Sequence, residues 1–316
     1  MRVKLKVALP ELFRGTLGGQ LPEFVQAAWY RGTEDVASAA RGADVLVIGF
    51  IDAAEIRHAI ESAVDARWIS THAAGVDHYP IDLLQRRDLV LTNGAGINAP
   101  PIAEFAVMCV LSAAKSFPYF LRTSDRQQWP DQRPPAQELE GSHALVLGYG
   151  EIGRGIGERL RAFGVRVTGV RRSAAEDPQV VGPAQWRDHL PDYDWILVTA
   201  ALTPETRHML GPNEFAQMRS NAWLFNVARG GLIDHPALAE ALRAGAPRGA
   251  YLDVTEPEPL PSDHPLWQLP NVVITGHSAG RSARSHTRYA QILLDNLGRF
   301  ERGEPLSNLV DFTAGY

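Results

Sequence analysis

The stretch Ala144-Leu-Val-Leu-Gly148-Tyr-Gly150-Glu-Ile-Gly153 decides the fold of the larger part of this chain. Four apolar residues of strand character run directly into a G-x-G-x-x-G turn. Ile152, Ile156 and Leu160 then recur with helical spacing, and Val165–Val170 is the next apolar strand. Strand, glycine turn, helix and strand within about 30 residues are typical of a dinucleotide-binding unit.

Each glycine of the turn has a physical task. Gly148 permits the tight turn, Gly150 lets the backbone approach a pyrophosphate, and Gly153 lets the helix pack against the strand. The helix that follows offers unpaired N–H groups and the positive end of its dipole to phosphates. The cofactor-binding residues predicted here are Gly148, Tyr149, Gly150, Glu151, Ile152 and Gly153.

Composition limits the class of protein. The 316 residues suggest one large or two medium domains, and 45% hydrophobic with 21% charged residues is ordinary for a chain that buries a core. A net charge of −5 gives no reason to expect nucleic-acid or membrane binding. The single cysteine, Cys109, excludes an internal disulfide and is expected to be a core residue. No apolar run approaches the length of a bilayer span, so we expect a cytoplasmic protein.

Strands and helices alternate along the first 98 residues, so a parallel sheet is expected there. The glycine turn comes at residue 148 rather than near the start. We therefore predict an α/β chain in which the nucleotide domain, 99–284, is inserted into a discontinuous domain formed by 1–98 and 285–316.

Arg171-Arg172-Ser173 follows the second strand of the nucleotide unit. NAD-binding units usually place an acidic residue here, which bonds the adenosine ribose and repels a 2′-phosphate, whereas arginine attracts one. We predict that these three residues bind the cofactor and that NADP(H) is preferred, with NAD(H) possible. The alternative is two solvated arginines on a loop.

Three later segments also open loops directly after apolar strands, and they contain Arg229, Glu258 and His277. The carboxyl ends of strands in a doubly wound sheet converge on one crevice. There Arg229 can fork onto a carboxylate, His277 can carry a proton near neutral pH, and Glu258 can orient His277. Glu256 is expected to be solvated. The other histidines lack metal-ligand spacing, so no metal is predicted.

At this point the sequence resembles the D-2-hydroxyacid dehydrogenase family over nearly its whole length. Besides the segments above, the resemblance rests on Ala74–His78, Asn93–Ala99 with Ala103-Glu104, Leu202–Thr206 and Asn296–Leu306. It implies a flavodoxin-like substrate domain, a Rossmann cofactor domain and a homodimer formed through the cofactor domain.

The resemblance also implies roles. Arg229 would bind the carboxylate and carbonyl of a 2-oxo acid, and His277, partnered by Glu258, would donate a proton to the carbonyl oxygen as hydride reaches C2. Backbone groups of Ala74, Gly75 and Val76 would hold the substrate carboxylate, chiefly the N–H groups of the last two. Asp253 would hold the nicotinamide carboxamide. The remaining cofactor contacts implied are Ala200, Ala201, Thr206, Val227, Ala228, His277 and Gly280.

Two positions depart from the family pattern. Arg171 replaces the acidic ribose ligand, which is similar to the NADPH-preferring glyoxylate/hydroxypyruvate reductases of the family. Gly276 precedes His277 where proline is usual, and we expect a looser loop. The predicted function is reduction of a small 2-oxo acid to a D-2-hydroxy acid. The alternatives are a corepressor-like interaction protein that senses NAD(P), or the same chemistry on an aromatic 2-oxo acid or a phosphorus oxyanion.

Overall fold

The computed structural model describes residues 4–50, 52–172 and 179–312. The chain forms two compact units. The first comprises Met1–Asn98 and Ser282–Tyr316, and the second comprises Ala99–Arg281. Ser173, predicted to bind the cofactor, lies outside the described residues.

The described regular elements are as follows. The strands are β1 (Leu5–Pro10), β2 (Val25–Tyr30), β3 (Val45–Ile48), β4 (Trp68–Thr71), β5 (Val90–Thr92), β6 (His143–Leu147), β7 (Arg166–Val170), β8 (Val180–Val181), β9 (Trp195–Val198), β10 (Trp223–Asn226), β11 (Gly249–Leu252) and β12 (Val272–Ile274). The α-helices are α1 (Arg14–Leu17), α2 (Thr33–Ala40), α3 (Ala53–Ser62), α4 (Ile81–Arg86), α5 (Ala99–Ala114), α6 (Phe117–Asp125), α7 (Glu151–Ala162), α8 (Pro212–Gln217), α9 (His235–Ala244) and α10 (Ser285–Arg302).

The first unit contains a five-stranded parallel sheet in the order β2-β1-β3-β4-β5. This is the flavodoxin-like order of a doubly wound sheet. Both faces of the sheet are covered, which is why its strands read as continuous apolar runs. In β3, Val45 and Val47 join one core cluster, which includes Leu293 of α10, while Leu46 and Ile48 join the other.

The second unit contains a seven-stranded parallel sheet in the order β12-β11-β10-β9-β6-β7-β8. Counted from β6, this is the Rossmann order 3-2-1-4-5-6 with one further strand. The predicted fold class of two doubly wound parallel sheets is confirmed. The order of strands changes direction between β6 and β9, which is where ligands bind in such sheets.

The glycine turn between β6 and α7 has the geometry that its sequence suggests. Gly148 adopts a φ of 98°, which favours glycine. The backbone N–H groups of Gly148 and Tyr149 both donate to the carbonyl of Val170 on β7, at 3.1 and 2.8 Å. A Cβ on Gly153 would lie 2.4 Å from the carbonyl oxygen of Gly148. Helix α7 can therefore pack against the turn only because residue 153 is glycine.

The apolar helix after the first unit differs from its sequence-based prediction over residues 102–117. It spans Ala99–Ala114, and a separate helix, α6, follows after Ser116, whose φ is 52°. Among the described residues no single helix is long and apolar enough to span a membrane; α5 and α6 reach that length and composition only together, and they are bent by 76°.

Candidate active site

His277 and Glu258 form the central contact of the candidate site. Nδ1 of His277 lies 2.5 Å from Oε1 of Glu258, on the loops that follow β12 and β11. Both side chains remain accessible, with 52% of His277 and 40% of Glu258 exposed. Because Glu258 engages Nδ1, Nε2 is the ring nitrogen left to face a ligand, and it donates when the imidazole is protonated.

Asp253, directly after β11, fixes the loop that carries His277. One carboxylate oxygen accepts hydrogen bonds from the Thr275 hydroxyl at 2.6 Å and the Ser278 N–H at 2.8 Å, and the other accepts from the Ala279 N–H at 3.0 Å. The His277 N–H donates to the Asp253 carbonyl at 2.6 Å. The carboxylate predicted to hold the nicotinamide carboxamide is thus already the anchor of the histidine loop, a role that the sequence analysis missed.

The local structure explains why cysteine at 109 is unreactive and why glycine stands at 276. Cys109 is buried, as expected, and burial, followed by the charge of Asp253, raises the pKa of its thiol to about 12. Gly276 and His277 both lie in the left-handed region, with φ values of 60° and 55°. Proline cannot adopt such a φ, so this loop conformation excludes the usual proline at position 276 and favours the glycine found there.

Arg229 lies on a turn that begins at the buried Asn226, the last residue of β10. The Asn226 side chain donates to the Arg229 carbonyl at 2.8 Å and accepts from the Ala228 N–H at 3.0 Å. A Cβ on Gly230 would lie 2.0 Å from the carbonyl carbon of Thr255, so this turn presses against the segment that leads to Glu258. The turn holds the half-buried Arg229 at the carboxyl ends of the strands, the side of the sheet on which His277 also lies.

Glu256 and Glu258 are separated by two positions but have different partners. Glu256 is exposed, and its carboxylate accepts hydrogen bonds from both terminal nitrogens of Arg207 at 2.9 to 3.0 Å. Only Glu258 contacts His277 among the interactions described for the two carboxylates. This arrangement supports the assignment of Glu258 as the partner of the histidine.

The glycine turn is shaped for a phosphate-bearing ligand. A Cβ on Gly150 would meet no atom within 4 Å, so the backbone there faces open space at the start of α7. On the other side, Gly148 is so close to the backbone after β9 that a Cβ would lie 2.4 Å from the Ala200 nitrogen. An open backbone at a helix N-terminus fits a pyrophosphate.

Tyr149 contributes to this turn through its backbone rather than its side chain. The ring is buried over Gly169 of β7, where a Cβ would come within 2.4 Å of the ring, and its hydroxyl accepts from Arg161 at 2.9 Å. The glycine at 157 leaves room for that hydroxyl. The buried Tyr149 side chain is therefore not placed to contact a cofactor.

Arg171 and Arg172 are exposed directly after β7. The Arg171 N–H donates to the carbonyl of Val181 at 3.1 Å, which fixes the direction of the chain there. A hydrogen bond from Thr203, a backbone hydrogen bond and then the charge of Arg172 lower the pKa of Glu205. The positive charge of Arg172 thus lies within electrostatic reach of the loop that follows β9.

The remaining predicted cofactor contacts fall at three strand ends of the second unit. Ala200 and Ala201 follow β9, Val227 and Ala228 follow β10, and Gly280 lies on the loop after β12. The Thr206 hydroxyl donates to the Ala201 carbonyl at 2.7 Å and accepts from the Thr203 N–H at 2.8 Å, so it closes the loop after β9 upon itself. Glu151 and Ile152 lie in the first turn of α7.

Ala74, Gly75 and Val76 lie in the first unit, on the turn that follows β4. The Asn93 side chain donates to the Ala74 carbonyl at 2.9 Å, a contact that sequence analysis did not foresee. Within 4–50, 52–172 and 179–312, no three His, Cys, Asp or Glu side chains are grouped so that they could hold a metal ion.

Comparison with known proteins gives consistent matches. The family model described as D-isomer specific 2-hydroxyacid dehydrogenase, NAD binding domain, matches residues 107–279. A glyoxylate reductase of Aeropyrum pernix is 32% identical over 288 residues, which cover 88% of this chain and 86% of that protein. A D-3-phosphoglycerate dehydrogenase of Methanocaldococcus jannaschii is 32% identical over 282 residues, or 88% of this chain but 53% of that protein, so this chain spans about half the length of that relative.

A solved structure extends the match to the whole fold. An NADPH-dependent glyoxylate/hydroxypyruvate reductase from Sinorhizobium meliloti, in complex with NADP and sulfate, superposes with a TM-score of 0.83 at 26% identity. The match covers 98% of this chain and all of that one.

Proposed function

Since this chain belongs to the D-isomer specific 2-hydroxyacid dehydrogenases, a family of oxidoreductases, we propose that it reduces a small 2-oxo acid to a D-2-hydroxy acid. Glyoxylate and hydroxypyruvate are the leading substrates. The observation that carries the proposal is the 2.5 Å contact between His277 and Glu258, on a loop anchored by Asp253 at the sheet edge that also presents Arg229.

The residues divide the chemistry among them. When bound, the reduced nicotinamide cofactor supplies the hydride that reaches C2 of the substrate. The Arg229 guanidinium binds the substrate carboxylate and polarises the carbonyl, since its planar fork matches a carboxylate. His277 gives the proton on Nε2 to the carbonyl oxygen, which becomes the hydroxyl of the product. Glu258 holds the imidazole by Nδ1 and places a negative charge beside the ring.

The cofactor proposed is NADPH in preference to NADH. The open backbone at Gly150 and the start of α7 fit the pyrophosphate. The exposed Arg171 and Arg172 lie at the strand end that binds the adenosine ribose in this fold. An arginine pair there stabilises a 2′-phosphate, whereas an acidic residue would repel it. The NADPH-dependent reductase to which this chain is similar supports the same preference.

We also propose that two copies associate through the second unit. Helix α6 carries Phe117, Tyr119, Phe120 and Leu121, yet it has no buried residue. Four large apolar side chains are exposed between residues 108 and 129, namely Met108, Phe117, Leu121 and Trp129. Such a concentration of apolar surface is costly in water unless it is covered. A second copy is the occupant proposed, and light scattering on the wild type and on Phe117→Glu tests it.

The activity test is the loss of NADPH absorbance with glyoxylate, hydroxypyruvate and phenylpyruvate, run beside NADH. We expect turnover with the two small acids and a higher kcat/KM with NADPH. Turnover with NADH alone would keep the reductase and overturn the reading of Arg171. Preference for phenylpyruvate would move the substrate to the aromatic class, and the phosphorus oxyanion alternative is read from NADP⁺ reduction with phosphite. Tight cofactor binding without any turnover would favour the sensing protein instead.

A further inference from the structure

The turn Ala74–Val76, which the family resemblance assigns to the substrate carboxylate, is held by a short segment that follows β5. The Asn93 side chain donates to the Ala74 carbonyl at 2.9 Å, and the Gly94 N–H donates to the Ala73 carbonyl at 2.9 Å. A Cβ on Gly94 would lie 2.2 Å from the carbonyl oxygen of His72, so the two segments are in direct backbone contact. All of these residues belong to the first unit.

We propose that Asn93 is a positioning residue for the substrate carboxylate, acting through the peptide group between Ala74 and Gly75. A peptide group is planar and trans, so its carbonyl and its N–H point in opposite directions. By holding the Ala74 carbonyl, Asn93 sets the direction in which the Gly75 N–H points. A hydrogen bond to the carbonyl also polarises the peptide and strengthens its N–H as a donor.

The Gly75 N–H is free to act in this way. Within the described part of the chain, the N–H groups of Gly75 and Val76 donate to no protein acceptor. The N–H of Ala74 is oriented by the same principle, because Gly94 holds the carbonyl of Ala73. The Ala73–Ala74 and Ala74–Gly75 peptide groups are therefore both held at their carbonyls. Their N–H groups, those of Ala74 and Gly75, point away from residues 93 and 94 and can face an anion.

Asn93 is itself held in place. Its side-chain oxygen accepts from the Ala95 N–H at 3.0 Å, and the side chain as a whole is buried, so the amide cannot turn over without losing a bond. Asn308, near the C-terminal end of the first unit, forms two hydrogen bonds with the backbone of Asn93. The Asn93 N–H donates to the Asn308 carbonyl at 3.1 Å, and the Asn308 side chain donates to the Asn93 carbonyl at 3.2 Å.

This inference rests on the proposed function, because it concerns the carboxylate of the 2-oxo acid. The test replaces Asn93 by Asp, which keeps the shape but cannot donate to the Ala74 carbonyl, and by Ala as a second variant. With saturating NADPH, the KM for glyoxylate should rise about tenfold in both variants, the scale of one hydrogen bond to a charged group. The kcat should change less than the KM, and the KM for NADPH should stay within twofold of the wild type.

Asn296→Asp is the matched control. Asn296 is an equally buried amide of the first unit, and it bridges the N–H and carbonyl of Ser307 at 2.8 and 3.0 Å without contacting the turn. Its substitution should lower the Tm by a similar amount and leave the KM for glyoxylate unchanged. An equal rise of the KM in this control would mean general loosening and would overturn the inference.

A second readout does not depend on turnover. In protein labelled with ¹⁵N-glycine, the Gly75 amide resonance of the wild type should shift when oxalate is added, and in Asn93→Asp the same shift should need about tenfold more oxalate. If the wild type reduces no 2-oxo acid, the proposed function falls, while the oxalate titration still tests the role of Asn93. An unchanged KM for glyoxylate with an unchanged oxalate response in both variants refutes the positioning role.

Discussion

Replacing Glu258 by Gln should reduce kcat for glyoxylate by roughly five- to thirtyfold. Glutamine keeps the size of the side chain and an oxygen that can accept from Nδ1 of His277, so the change removes mainly the negative charge. Two opposite charges about 4 Å apart attract by about 1 kcal/mol in water and about 4 kcal/mol near a protein surface. Because both side chains are about half exposed, the attraction is near the lower limit, at about 1 to 2 kcal/mol.

Glu258→Ala should cost more than Glu258→Gln, because it also removes the contact that orients the ring. His277→Ala sets the floor, with a loss of kcat of at least about 100-fold, the usual scale for loss of a general acid. The expected order of kcat is therefore wild type, Glu258→Gln, Glu258→Ala and His277→Ala. Each variant is assayed with saturating NADPH and glyoxylate at one pH near neutrality.

The control is Glu256→Gln, the same chemical change two positions away on the same loop. Glu256 is bound by Arg207 and has no described contact with His277, so kcat should stay within about twofold of the wild type. The reasoning is refuted if Glu258→Gln retains full activity, or if the two substitutions lower kcat equally. Equal losses would show that the loop, not the charge on Glu258, is what matters.

Three further predictions follow from the structure. Arg171→Ala should lower kcat/KM for NADPH by about tenfold and leave that for NADH nearly unchanged, since only NADPH has the 2′-phosphate; parallel assays with the two cofactors check this. Gly276→Pro should lower kcat by more than about tenfold and Gly276→Ala by less, because a φ of 60° is closed to proline but only strained for alanine; steady-state kinetics with a Tm measurement separates them. Burial lowers the pKa of His72 and of His235 below 6.5, so the stability that depends on their neutral forms is present above that pH and is lost as pH falls through the lowered values. The Tm between pH 7.5 and 5 should therefore fall with acid, and His235→Gln should reduce the slope; an identical slope in that variant would contradict the assignment.

The architecture could be predicted from the sequence because apolar strands, glycine turns and helical spacing are local patterns. In a parallel sheet all strands end on the same side, so residues that directly follow the strands lie together at their carboxyl ends. That rule alone brought Arg229, Glu258 and His277 to the same edge of the second sheet, although 48 residues separate the first from the last along the chain.

What the sequence did not reveal depends on contacts between distant segments. The bond from Asn93 to Ala74 joins residues 19 positions apart, and no local pattern requires it. The burial of Tyr149 was missed for a related reason. Its ring needs missing Cβ atoms at both Gly157 and Gly169, on a helix and a strand that only the folded unit brings together. Those two glycines were the available signal, but their spacing alone does not point to a tyrosine.

Asp253 shows why single substitutions at this sheet edge need careful interpretation. Its carboxylate accepts three hydrogen bonds from the loop that carries His277, and its carbonyl accepts a fourth from His277 itself. Any loss of activity on removing this carboxylate would combine a displaced proton donor with whatever contact it makes to the nicotinamide. Substitution of Thr275 would separate the two effects, because the Thr275 hydroxyl donates only to Oδ1 of Asp253. That oxygen also accepts from the Ser278 N–H and so belongs to the anchor of the loop. With the nicotinamide contact that the family resemblance implies, the same carboxylate would link the placement of the proton donor to the placement of the cofactor, and both effects would act through one strand end.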